Sequence, residues 1–534
     1  MLSEDKCFRT LTRDELWQRY CGFLDLSIDE FMRIQERLLL DEIKLVAGST
    51  LGRKIMGKRV PKSVEEFRRL VPLTTYEDYE PYLSERQEDA LAVKPEMWCH
   101  STGRSGSFKW IPHSHESVEI AARWFLGSGI LACCSQKGEI NIGPGLRFLT
   151  IFAPPPYTSG SLAKALTDRF SARMIPTPEQ IEASSFLEAI KIGFQTGMKD
   201  GVDMIGAIAS VMVGMGREIS QQTSGTGLSM SMMHPKIVIR LLQAWIRSKK
   251  EKRPILPKDL WRPKGVIVAG LDTAIYKDDV AYYWGSFPYE IYVSTEGLIH
   301  AMQSWTKEGM VFVPDVTFLE FIPYEEFLEH QDDKDYRPST VLFNQLEEGK
   351  SYEVVITQLF GSPLLRYRMK DIVKVTAMSD TEAGINLPHV AFRHRVGETI
   401  DLAGLARLDE KVIWQAIVNT GIDYIEWIAC KEYDANQSFL RLYIELKEEK
   451  AAAEIETMID EQLKVVDKNY KDIDSHLGLQ PVRVTLLTAG TFQHYAKKKV
   501  KEGASLAQLK PTHMNPPGEV IQCLLKLSEV NTKK

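Results

Sequence analysis

The chain has 534 residues, 44% of them hydrophobic and 26% charged, with a formal net charge of −6. That length exceeds one ordinary core, so at least two domains are expected. The acidic balance gives no sign of a nucleic-acid surface, and the seven cysteines, with Cys133 and Cys134 adjacent, show neither metal-ligand nor disulfide spacing.

The N-terminal Met-Leu-Ser-Glu-Asp-Lys lacks the basic and apolar regions of a signal peptide, and a reduced, cytoplasmic protein is the expectation. Residues 29–48 predict an amphipathic helix, with apolar Phe31, Ile34, Leu38, Leu39 and Ile43 on one face and Ser27 or Asp29 as N-cap. Helical periodicity also runs through 116–126 and 179–200. Apolar runs at 147–153, 265–270 and 310–313 predict buried strands between turn signals. The apolar stretch 202–216 is too short to span a bilayer, is interrupted by Asp203, and predicts a buried helix, so no membrane partner is expected. Lys249–Arg253 predicts a solvated basic surface. A strand pair falls around 365–395. After it the order is helix 409–419, strands 423–431 and 438–446, a long helix 449–472, strand 482–487 and a basic terminal helix. The alternation predicts an α/β fold: a large multi-sheet α/β N-terminal domain with a small α+β C-terminal domain.

Three short segments carry the chemistry. Ser-Thr-Gly-Arg-Ser-Gly-Ser-Phe-Lys at 101–109 is rich in hydroxyls and glycine and ends in a lysine. Such a loop can wrap phosphates with amides and hydroxyls while an ammonium supplies charge, although such clusters are usually plain turns. Tyr-Val-Ser-Thr-Glu at 292–296 offers an aromatic face, two hydroxyls and a carboxylate. These suit a base, a phosphate and Mg²⁺, against the plainer reading of a strand end facing solvent. Tyr-Arg-Met-Lys-Asp at 367–371 ends in a carboxylate able to accept from two ribose hydroxyls, or is a surface mixture of charges. In this order and at these separations the segments resemble the phosphate loop, the Y-x-x-T-E segment and the ribose-binding aspartate of the acyl-adenylate-forming enzymes.

Flanking sequence narrows the resemblance. Arg-Leu-Val-Pro-Leu-Thr-Thr-Tyr-Glu-Asp-Tyr-Glu-Pro-Tyr at 69–82, Lys-Trp-Ile-Pro at 109–112, Phe-Leu-Glu-Phe-Ile-Pro at 318–323 and Gly-Ala-Ser-Leu-Ala-Gln-Leu-Lys-Pro at 503–511 are similar to segments of the acyl acid–amido synthetases. That family is typified by plant auxin- and jasmonate-conjugating enzymes. The resemblance runs from about residue 30 to about 515. It implies ATP and Mg²⁺ as cofactors, a small-molecule carboxylic acid and an amine, usually an amino acid, as substrates, and two half-reactions. The acid and ATP give an acyl-adenylate and pyrophosphate; the amine then gives an amide and AMP.

By the same resemblance, Ser101, Thr102, Gly103, Ser105, Gly106 and Lys109 bind phosphate, Thr295 lies near the α-phosphate, and Glu296 holds the metal. Tyr292 stacks on adenine, Gly270 in Val-Ile-Val-Ala-Gly lets the base approach the backbone, and Asp371 binds ribose. His-Arg-Val-Gly-Glu-Thr-Ile-Asp-Leu-Ala-Gly at 394–404 is similar to the superfamily hinge, with Arg395, also an ATP-binding candidate, Ile400 and Gly404 in register and Glu398 at the acidic hinge position. It separates an ATP- and acid-binding domain, 1–398, from a mobile domain, 399–534. Lys510 in Gln-Leu-Lys-Pro is the candidate for the C-terminal lysine that offsets charge when a carboxylate attacks phosphate; Lys497, Lys498, Lys499 and Lys501 read as a solvated face.

Three positions depart from the pattern. Arg104 stands where relatives place a hydroxyl, Lys370 where they place glycine, and Asp401 where lysine is common. Arg104 allows either a bidentate phosphate contact or a side chain in solvent. His113 and His115 suit either an acyl site or a packed or capping role. Two rivals share the fold: an acyl-coenzyme A ligase, and a non-catalytic acid-binding protein.

Overall fold

The structure is a computed structural model. It describes residues 1–532 apart from 101–108, 151–153, 185, 208, 223–233, 269–272, 330–335, 397–398, 403–405, 435–436, 449, 468–469, 472–481 and 503–509. The chain divides into two compact units, Met1–Phe392 and Arg393–Lys534.

In the first unit, β1 (Met97–His100) and β2 (Trp110–His113) form an antiparallel pair with His100 opposite Trp110. The central sheet is built from β3 (Arg147–Thr150), β4 (Arg173–Ile175), β5 (Met204–Ala207), β6 (Gly265–Val268), β7 (Tyr289–Ser294), β8 (Leu298–Gln303), β9 (Met310–Phe312), β10 (Thr317–Pro323), β11 (Ser351–Gln358), β12 (Tyr367–Ala377) and β13 (His389–Arg395). Their order is β10-β11-β12-β13-β9-β8-β7-β6-β5-β3-β4. From β4 to β7 every pairing is parallel, and β5 and β6 are buried along their whole length, as strands covered on both faces must be. The β7–β8 and β8–β9 pairings are antiparallel, as are those of β9 with β13, β10 with β11 and β11 with β12.

This antiparallel half curls. Tyr292 on β7 donates to Asp371 on β12 across 2.7 Å, although four strand steps separate them in the order. On a flat sheet those steps would cover roughly 19 Å, beyond a tyrosine's reach.

The mixed α/β architecture is the one expected. The helix Ile28–Val46 begins at Ser27, whose hydroxyl accepts from Glu30 N while Glu30 bonds back to Ser27 N at 2.9 Å. Two expectations are corrected. Residues 202–216 are not one helix: β5 is followed by a helix at Ala209–Gln222, because a buried apolar run has no periodicity to separate the two. Residues 179–200 form two helices, Pro178–Glu182 and Phe186–Asp200.

The second unit has its own core, including Ile413, Ile417, Trp427, Leu442 and Ile459. It pairs β14 (Ile400–Leu402) with β15 (Ala406–Leu408). A second sheet is ordered β16-β17-β18, from Tyr424–Asp434, Gln437–Leu446 and Val482–Leu487. Helices Glu410–Asn419, Ala452–Val466 and Thr491–Lys501 follow the expected order, and a further helix, Gly518–Thr532, comes after them.

Candidate active site

Parallel strands in α/β sheets present their carboxyl ends as a crevice for ligands. Here the last parallel strand, β7, ends in Ser294, and Thr295 and Glu296 occupy the turn into β8. Four side chains fix this turn. The Ser294 hydroxyl accepts from Glu296 N and Gly297 N, each at 3.1 Å, and lies 2.7 Å from His300 Nε2. Gln358 on β11 donates to the Glu296 carbonyl at 2.7 Å. Thr158, first residue of the helix Thr158–Thr167, donates to the Thr295 hydroxyl at 2.9 Å. His113, at the end of β2, donates from Nε2 to the Thr295 carbonyl at 2.9 Å.

Burial pulls His113 down to about 4 and His300 down to about 3, so both are neutral donors and acceptors near neutral pH. Gly297 is required by close approach, since a Cβ there would come within 2.1 Å of His300 Cε1. Glu296 is buried, at 8% exposure, and among the described residues its carboxylate oxygens meet no hydrogen-bond donor.

Tyr292 and Asp371 meet directly through the bond already given. The Tyr292 ring packs against His300, Phe312 and Phe392 at centroid distances of 4.7, 6.4 and 6.0 Å. Asp371 is turned inward, 5% exposed, by a bulge in β12: three residues separate Arg368 from Ile372 where β11 has only one between their partners. Lys370 lies in that bulge at φ 60°, the left-handed region. The departure from glycine at this position therefore leaves the turn intact and strains one residue.

Lys109 follows β1 and its connection, with its ammonium 5.4 Å from the centre of the Tyr76 ring. Tyr76 in turn accepts from Trp110 N at 2.9 Å. The Glu77 carboxyl is held low, first by the Thr75 hydroxyl and also by the charges of Lys109 and Lys370, so the first and third motifs project cations onto one place. The segment 69–82 thus has a role its sequence alone did not disclose. Thr74 pairs with Arg366 O and Arg368 N, each at 2.9 Å, and Tyr79 accepts from Leu365 N at 2.7 Å. The signal was the Thr-Thr-Tyr-x-x-Tyr pattern, but nothing local says which strand it braces.

Ser101, Thr102, Gly103, Arg104, Ser105, Gly106 and Gly270 lie outside the described residues, as do Glu398 and Gly404. His115 is a surface residue paired with Glu96. Arg395 ends β13, its carbonyl 3.1 Å from His394 Nδ1. Lys510 is not simply solvated: its ammonium is 3.1 Å from Glu426 Oε2. Glu426 Oε1 lies 2.7 Å from His513 Nε2, and His513 also bonds Glu410 and stacks on Trp427 at 4.2 Å. Burial would raise Glu426, but Lys510 and His513 hold it at about 2. Burial and Lys510 oppose the His513 charge, yet Glu426 and Glu410 keep it above the usual histidine range.

An apolar cavity opens beside the carboxyl end of β3, lined by Thr150, Pro154, Pro155, Ala163, Met174 and Ile181. The buried Thr150 hydroxyl has no hydrogen-bond partner among the described residues. Also among these residues, no group of three or more His, Cys, Asp or Glu could hold a metal. A single carboxylate such as Glu296 suits Mg²⁺ that arrives with nucleotide phosphates, since that ion keeps waters and takes one or two protein carboxylates.

Models of three GH3 family domains match the chain in sequence order: the N-terminal domain at 22–190, the central domain at 310–395 and the C-terminal domain at 410–517. A jasmonoyl–L-amino acid synthetase, JAR4, of Nicotiana attenuata is 21% identical over 507 residues, 83% of this chain and 84% of that protein. An indole-3-acetic acid-amido synthetase, GH3.3, of Arabidopsis thaliana is 26% identical over 266 residues, 46% of this chain. That match and the one to the 4-substituted benzoates-glutamate ligase GH3.12 of Arabidopsis thaliana span only 42% and 38% of the relatives' own lengths. Among solved structures, the AtGH3.15 acyl acid amido synthetase in complex with 2,4-DB superposes with TM-score 0.68 at 17% identity, covering 96% of both chains. A 2-hydroxyisobutyryl-CoA ligase in the postadenylation state gives 0.59 at 14% identity, covering 96% of this chain and 94% of that one. At these identities the structural likeness establishes the fold, a large α/β unit followed by a smaller one.

Proposed function

Because this chain belongs to the GH3 family, we propose that it is an ATP-dependent acyl acid–amido synthetase, which adenylates a carboxylic acid and passes the acyl group to an amine, usually an amino acid. The observation that carries this reading is the Thr295–Glu296 turn at the carboxyl end of β7, locked by His113, Thr158, Ser294 and Gln358. It sets a hydroxyl and a carboxylate in a fixed geometry at the mouth of a parallel sheet, as a reaction without a protein nucleophile requires.

In this reading Lys109 and the segment from Ser101 hold phosphates, the Thr295 hydroxyl meets the α-phosphate, and Asp371 accepts from the ribose hydroxyls while Tyr292 orients its carboxylate. Tyr292 would stack on the base, and Gly270, outside the described residues, would let it approach the backbone. Glu296 would hold Mg²⁺, which supplies neutralisation of phosphate charge when bound. Arg395 and the hinge join an ATP- and acid-binding domain, 1–398, to a mobile domain, 399–534, whose Lys510 offsets charge in the adenylation step.

The test is a carboxylic acid panel with ATP, Mg²⁺ and hydroxylamine as the trap. Hydroxamate formation with release of AMP and pyrophosphate supports adenylation; ADP and phosphate refute it. Product mass after offering an amino acid mixture or coenzyme A then separates amide synthesis from thioester formation. No turnover with any acid, together with no acid-dependent ATP–pyrophosphate exchange, favours a binding protein.

A further inference from the structure

The helix Pro235–Glu251 carries the most conspicuous surface of the described chain. Ile237, Ala244 and Ser248 face the interior. On the opposite side Val238, Ile239, Leu242, Trp245 and Ile246 are each 51–57% exposed. At 3.6 residues per turn these five form one stripe, and soluble surfaces rarely leave such a stripe uncovered.

The charge along the helix up to Lys250 is of one sign. From Pro235 to Lys250 there are Lys236, Arg240, Arg247, Lys249 and Lys250 and no acidic residue, in a chain whose net charge is −6. The two arginines are used inward: Arg240 donates to Met198 O at 3.1 Å and Leu260 O at 2.8 Å, and Arg247 to Asp259 O at 3.0 Å. Lys236, Lys249 and Lys250 are exposed beside the stripe, with the Lys249 ammonium 6.0 Å from the Trp245 ring centre. Glu251, at the helix end, is matched by Arg253 at 2.6 Å.

We infer that this helix is a docking face for an anionic lipid surface, on which the chain lies without inserting a span. The apolar stripe with its tryptophan would enter the boundary between headgroups and acyl chains, and the lysines would meet the headgroup charge. A second copy is a poor occupant. Two copies joined symmetrically on this face would set Lys236, Lys249 and Lys250 against the same lysines, with no acidic residue between Pro235 and Lys250 to pair them. Among the described residues no helix is long and apolar enough to cross a membrane, which concerns spanning only and leaves a surface helix open.

The experiment is vesicle co-sedimentation of the full chain. Vesicles of phosphatidylcholine alone are compared with vesicles containing roughly one third phosphatidylserine, at low and high salt. Binding to the anionic vesicles should be at least about tenfold tighter and should weaken with salt. Two variants, Leu242→Asp with Trp245→Asp and Lys249→Glu with Lys250→Glu, should each lose about tenfold or more of that binding. Their melting temperature and ATP turnover should be those of the parent, since the altered side chains are exposed. No binding to anionic vesicles, or equal binding by parent and variants, overturns the proposal. So does a concentration-dependent dimer that the Leu242→Asp variant disperses while vesicles remain unbound, which would make the face a contact between copies.

Discussion

At the scale of single residues, the geometry of the β7–β8 turn makes Glu296 the sharpest test. Its backbone is pinned by Ser294 and Gln358, so Glu296→Gln should keep the turn and lose only the charge. Acid-dependent ATP–pyrophosphate exchange should fall on the order of 10²-fold at unchanged melting temperature, by analogy with loss of one preorganised electrostatic group. An unchanged rate would remove Glu296 from the metal site. Lys510 tests the other unit. Its ammonium pairs with Glu426 at 3.1 Å, and a cation is needed for carboxylate attack on phosphate rather than for amine attack on a finished adenylate. Lys510→Ala should therefore fail to form adenylate yet convert supplied acyl-adenylate to amide. Equal damage to both steps would point instead to the Glu426–His513–Glu410 cluster losing one of its two cations.

At the scale of elements, β12 carries strain and a brace. Lys370 at φ 60° costs roughly 1–2 kcal/mol against an ordinary conformation, and glycine returns about 0.5–1 kcal/mol of that as lost chain entropy. Lys370→Gly should leave stability unchanged or raise it by up to about 1.5 kcal/mol in urea titrations. A clear loss would mean the Lys370 side chain holds the bulge. The brace is Arg366, 6% exposed, whose guanidinium bonds both Glu320 oxygens at 2.8 and 3.0 Å and also the Arg68 and Val71 carbonyls at 2.6 Å. Glu320→Ala strands a buried guanidinium and should cost about 3–5 kcal/mol, with a raised KM for ATP because the strand bearing Asp371 loses its anchor. Glu320→Gln should cost less. Phe-Leu-Glu-Phe-Ile-Pro was legible as a motif, but Glu320 reads locally as one acid in an apolar strand; only the fold brings Arg366 to it.

At the scale of the whole molecule, buried titratable groups set the pH response. Burial pushes Glu42, whose Oε2 accepts from Gly361 N at 2.7 Å and whose Oε1 has no partner among the described residues, up to about 8. The folded state then binds a proton that the unfolded chain has released, so stability is lost as pH rises from about 4.5 to about 8. The His513 charge, held above its usual range by Glu426 and Glu410, adds to the loss above about 6.5. His113 and His300 act oppositely: they stay neutral in the fold while the unfolded chain takes up protons, so stability falls as pH drops below 6.5. The melting temperature should peak near pH 6.5 and fall on both sides, and Glu42→Gln should flatten the alkaline limb. A parent and variant that fall alike above pH 7 would show that Glu42 is not the group responsible.

Sequence by itself determined the layer class and the order of most elements and singled out the three motifs as candidates, because periodicity, turn residues and short polar patterns are local properties of the chain. The helix Ile28–Val46 could be placed from its apolar spacing and Ser27 cap, and Asp371 was named as a candidate from five residues. What only the tertiary structure decided is which parts meet. The curl of the sheet brings Tyr292 to Asp371. The segment 74–79 closes on residues 365–368, and His113, Thr158 and Gln358 converge on one turn from three separate elements. The apolar face of Pro235–Glu251 belongs to the same class: its composition was visible, but its exposure depends on which side the rest of the fold leaves uncovered. Contacts between residues tens to hundreds of positions apart depend on how sheets twist and helices pack, and no local pattern encodes that distance.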